Sequence, residues 1–63
     1  MKIDDLFNHF KNELKPVVSI AATLGCHPEA VKLWAKKGEL VPLRWAYMAA
    51  AKTGLPVNEE DYK

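Results

Sequence analysis

Sixty-three residues leave room for one domain, near the lower size limit for unaided folding, where about 60% of the unfolded surface is buried. A single cysteine excludes an internal disulfide and a cysteine-built zinc site. Although 49% of the residues are hydrophobic, no run approaches the roughly 20 apolar residues of a membrane span, and a net charge of +1 does not by itself point to nucleic acid.

The distribution of charge says more than its sum. From Lys15 to Lys37 four lysines stand against Glu29 alone, a local +3, whereas residues 1–14 and 38–63 each carry −1. A basic central segment is the electrostatic footprint of a nucleic-acid binder, with a solvated surface as the plain alternative. The opening M-K-I-D-D-L-F places acids where a secretory leader would need its apolar stretch, so a cytoplasmic protein is expected.

Ile3, Leu6, Phe7, Phe10 and Leu14 recur at helical spacing and predict an amphipathic helix over 3–14 that supplies core. Asp4 and Asp5 complement its dipole, and His9, on the less apolar side, reads as a surface residue. Pro16 disfavours helix at Lys15 but suits the first turn of a new one, which places a second helix over 16–24. Ile20, Ala21 and Leu24 form its inner side, with Ala21 small enough to let a neighbour cross closely. Gly25 is suited to a left-handed turn, and Cys26 reads as a buried thiol plugging that turn.

A third helix is expected to begin at Pro28, with His27 as its N-cap, Glu29 as a favourable first-turn charge, and Val31 and Trp34 as its core face. The opposite side carries Pro28, Glu29, Lys32, Leu33 and Lys36. If it faces DNA, Lys32 can donate to guanine, Glu29 can accept from cytosine and Leu33 can cover a thymine methyl. Lys36 and Lys37, near the helix C-terminus, suit phosphates, with dipole stabilisation as the alternative. Gly38 ends this helix, and after the connector E-L-V a fourth is predicted over 42–52. Trp45, Met48, Ala49 and Lys52 share one stripe, with Ala46 and Ala50 beside it; the alanines allow close helix packing, and Met48 is read as core.

Two tryptophans and two tyrosines are more aromatic surface than so small a domain buries easily. Trp45, Tyr47, Leu55 and Tyr62 are therefore expected at a dimer interface. After Pro56 only seven residues remain, too few for a hairpin, and Asn58 followed by Glu59, Glu60 and Asp61 signals a short final helix. A single strand pairing across a dimer is the alternative. The expectation is an all-α fold of four to five short helices, with a helix-turn-helix at about 16–37 inside one domain, 1–63.

With the V-V-S-I-A-A-T-L-G-C-H-P-E-A-V-K-L-W stretch, the following W-x-K-K-G-x-L-V-P run and the T-G-x-P-V ending, the chain resembles Cro-type repressors of temperate bacteriophages, of the lambda-repressor-like class, from about Leu14 to Asp61. The resemblance implies a phage or prophage protein that binds palindromic operator DNA as a weak homodimer and represses transcription. Two positions depart from the pattern. Such proteins commonly open helix 2 with a polar phosphate-binding residue, often glutamine, where this chain has Val17 and Val18, leaving Lys15 as the nearest phosphate contact. They also usually carry serine or threonine where this chain has His27, which is read with Pro28, Glu29, Lys32 and Leu33 as a base contact.

No nucleophile with its base, acid pair or metal constellation is visible in the sequence, so neither catalysis nor a cofactor, metal or small-molecule ligand is expected. The competing function is a helical protein-interaction module, a phage adaptor or antitoxin domain, that keeps the fold and does not bind DNA.

Overall fold

The computed structural model describes residues 1–38 and 40–63; Glu39, in the E-L-V connector, lies outside the described residues. Four α-helices follow one another, α1 (Ile3–His9), α2 (Pro16–Leu24), α3 (Pro28–Lys37) and α4 (Leu43–Thr53), and a 3₁₀ turn, Glu59–Tyr62, closes the chain. The fold is all-α. Among the described residues the only β pairing is an antiparallel bridge between Lys2 and Leu40, and no helix is long and apolar enough to cross a membrane.

α2 is the hub, packing against α1, α3 and α4. Its inner side is the predicted one, with Ile20, Ala21 and Leu24 all buried. Pro16 sits at the first position of α2, where its missing N–H would have no partner anyway. The helix stops at Gly25, whose φ of 76° is left-handed and whose N–H returns to the Ala21 carbonyl at 2.8 Å. Only three residues, Gly25 to His27, then separate α2 from α3. A turn this short needs positive φ at its first residue, the reason for glycine there. Cys26 is half-buried rather than fully enclosed, because so short a turn stays at the surface, though burial still raises its thiol pKa.

The first helix is shorter than its apolar spacing predicts. It ends at His9, and Leu14, expected one turn further along its core face, is 95% exposed. Lys15, at φ −129° and ψ 82°, is held out of helical geometry by Pro16. The reversal into α2 must therefore be made by the residues before it, and Phe10 to Lys15 make it.

α4 also turns a different side inward than expected. It starts at Leu43, with Pro42 as its cap, and ends at Thr53. Ala46 and Ala49 are buried and Ala50 partly so, whereas Met48, assigned to the core, is 42% exposed and Lys52 faces solvent. Trp45 is half-buried at the margin. Alanines face α2 because two backbones in close contact leave no room for a thioether, and the bulky side chains rotate outward.

The ends of the chain complete the core. Met1 and Val41 are fully buried, and the Val41 N–H donates to the Met1 carbonyl at 2.8 Å beside the Lys2–Leu40 bridge. Tyr62 closes over them. Its hydroxyl donates to the Val41 carbonyl and accepts from the Met1 ammonium at 2.7 Å, while Asp61 lies 3.7 Å from that ammonium. The final turn is a helix, not a strand, and Asn58 caps it by accepting from the Glu60 N–H at 3.1 Å.

Candidate nucleic-acid interface

α3 is amphipathic in the plain sense. Val31 and Trp34 are buried against the core, and Glu29, Lys32, Leu33, Lys36 and Lys37 are exposed. His27 starts the helix in extended geometry, and its Nδ1 accepts the Glu29 N–H at 3.1 Å. An imidazole ring thus fills the role that a serine or threonine hydroxyl commonly fills. With Nδ1 accepting a backbone N–H, Nε2 is the ring nitrogen left to donate. Pro28, half-buried, occupies the first helical position.

One turn on, the Lys32 ammonium lies 3.3 Å from Glu29 Oε1, with the two side chains 60% and 71% exposed. Glu29, Lys32, Leu33 and Lys36 together line a shallow depression of about 320 Å³. Leu33, 50% exposed, is its apolar element. Lys36 and Lys37 stand in the last turn, where the carbonyl end of the helix attracts them, before Gly38 ends it in left-handed geometry at φ 64°. Four of the five predicted base-contact residues, all but His27, are on α3, and His27 caps it. The patch is positive, with three lysines against one glutamate.

Lys15 stands apart from this depression, exposed at the start of α2. Beside it the surface is apolar: Leu14 is almost bare and Val18 is 50% exposed.

The residues expected at a dimer interface divide into two groups. Tyr47 is 48% exposed and donates its hydroxyl to Glu59 at 2.8 Å, which raises its pKa first through that bond. Trp45 is half-buried beneath the Arg44 guanidinium, which stands 4.9 Å from the ring centroid. Trp45, Leu55 and Tyr62 pack against the core; Leu55 also borders an open cleft of about 260 Å³ with Asp5, Asn8 and Pro56. Leu43 (40% exposed) and Met48 join Tyr47 on the outer side of α4. Sequence reasoning did not place these two there. The signal for Tyr47 and Met48 was available in the alanines at 46, 49 and 50, whose spacing marks the inner side of the helix; Leu43 shares the helical period of Ala46 and Ala50 and is exposed as the first residue of α4.

Comparison with family models, curated proteins and solved structures returned no match to this chain.

Proposed function

We propose that this protein is a sequence-specific DNA-binding transcriptional regulator, not an enzyme, that inserts α3 into the major groove of operator DNA. The observation that carries the reading is the outer face of α3. It is a free helical surface with three lysines, one apolar side chain and one carboxylate, set on a short left-handed turn from α2. A pair of short helices joined in this way suits a groove, one helix entering it while the other crosses the backbone. His27, Pro28, Glu29, Lys32 and Leu33 are then the base contacts, and Lys15, Lys36 and Lys37 hold phosphates. Two copies related by a two-fold axis set their recognition helices about 34 Å apart on a palindromic site. The sequence resemblance adds repression and a cytoplasmic, phage-related setting.

A second reading is favoured by a specific observation. Leu43, Tyr47 and Met48 make the outer side of α4 apolar, as expected of a domain that binds protein. In the first reading that side is where two copies meet; in the second it is the whole function.

A fluorescence-anisotropy titration against a pool of random duplexes, at two salt concentrations and with the bound fraction sequenced, separates the two. DNA binding predicts an enriched palindrome, with affinity falling by about 0.9 log units per log unit of salt for each phosphate contact. No retention of DNA at low salt would leave the protein-interaction module.

A further inference from the structure

We propose that Glu29 and Lys32 act as a single base-reading unit that selects a C·G pair in each half-site, rather than as two independent contacts. This rests on the DNA-binding reading above. The starting point is an apparent misfit: a carboxylate on a helix face offered to DNA is repelled by the phosphates and by the acceptor-rich floor of the groove. In this fold it is not alone. The Lys32 ammonium is 3.3 Å from Glu29 Oε1, so the two charges cancel at close range and the couple enters the groove as a neutral neighbouring donor and acceptor.

An exposed pair of this kind contributes little to folding. Its chemistry matches one base-pair edge better than the others. In the major groove of C·G, the cytosine N4 amino group lies next to guanine O6, with N7 beyond it. The carboxylate accepts from N4 while the ammonium donates to O6 and N7, two adjacent acceptors that concentrate negative potential. An A·T pair also sets an amino group beside a carbonyl, but its N6 is flanked by acceptors on both sides, N7 and thymine O4. A carboxylate reaching for that amino group meets an acceptor whichever way it leans. At cytosine the second flank is only the C5–H. Leu33, in the same depression, remains free to cover a thymine methyl at a neighbouring step.

The unit predicts asymmetric behaviour that two separate contacts do not. Glu29→Gln keeps an acceptor and removes the charge, so in the full-length variant the preference for C·G at one position should fall on the order of tenfold. Lys32→Met strands the carboxylate, and affinity should fall by more than that for every sequence. The double variant Glu29→Gln/Lys32→Met should recover much of the affinity lost by Lys32→Met, without the C·G preference. Both side chains are exposed, so the three variants should melt like wild type. The measurement is selection from random duplexes followed by anisotropy on the selected site and on its single-position variants. If wild type selects a site but the two single variants relax preference at different base pairs, or their effects on affinity simply add, the unit is overturned and the DNA-binding reading stands. If wild type selects no sequence, that reading falls and takes the unit with it.

Discussion

α3 and α4 are similar as local structure. Each is about three turns long and each ends at a glycine in left-handed geometry, Gly38 and Gly54. They bury opposite kinds of residue. α3 turns Trp34 inward and leaves its charges outside; α4 turns Ala46 and Ala49 inward and leaves Leu43, Tyr47 and Met48 in solvent. In α3 polarity and burial agree at every larger side chain but Leu33, so a hydrophobicity pattern locates its core face. In α4 they disagree, because the space against α2 is set by how closely two backbones approach, and small residues win it over larger, more apolar ones.

The largest way to break this contrast is Trp34→Ala. Removing a buried indole costs about 3–5 kcal/mol, enough to leave so small a domain largely unfolded. Met48→Ala, an equally severe truncation by the sequence pattern, should stay within about 0.5 kcal/mol of wild type. Equal loss in the two, read by thermal or urea melts, would return Met48 to the core.

Ala49→Leu tests the same point from the other side. Enlarging a fully buried alanine between packed helices should cost about 1–3 kcal/mol through overpacking. A neutral result would mean that α4 is not held close.

Gly25→Val comes next. A Cβ at Gly25 meets nothing within 4 Å, so the penalty is conformational: about 1–2 kcal/mol for holding a side chain at φ 76°. The corner between α2 and α3 should be weakened rather than lost, and circular dichroism at low temperature should still show the native helix content.

The smallest stability effect concerns the clasp. Tyr62→Phe removes the hydroxyl that links Val41 and Met1 and should cost about 1 kcal/mol. It also has a pH signature. Burial, then Asp61, then Tyr47 raise the Tyr62 pKa above its ordinary 10.0. At alkaline pH the unfolded chain therefore loses this proton before the folded one does. The tyrosine's contribution is complete below pH 10 and is lost as pH rises from there through the folded value. Melts at rising pH should show a steeper alkaline decline in wild type than in Tyr62→Phe.

The elements most legible in the sequence were those with local causes. Pro16 and Pro28 open helices, Gly25 and Gly38 end them, His27 and Asn58 cap them, and each does so with neighbours within a few residues. The candidate site was legible to the same extent, because a helix with Val31 and Trp34 buried has no choice about which side carries Glu29, Lys32, Leu33 and Lys36. Three things needed the tertiary structure. Leu14 shares the spacing of the α1 core stripe, but the chain spends those residues on the reversal into α2, and nothing in a 3.6-residue period reports where the next helix must start. Met48 lost its place to the alanines because interhelical distance belongs to the pair of helices and not to either alone. Met1, Val41 and Tyr62 meet across almost the whole length of the chain, and a pairing that distant leaves no mark on local periodicity. The Glu29–Lys32 couple lies between these cases: its three-residue spacing makes the pair possible, and the folded helix decides that both side chains face outward at 3.3 Å.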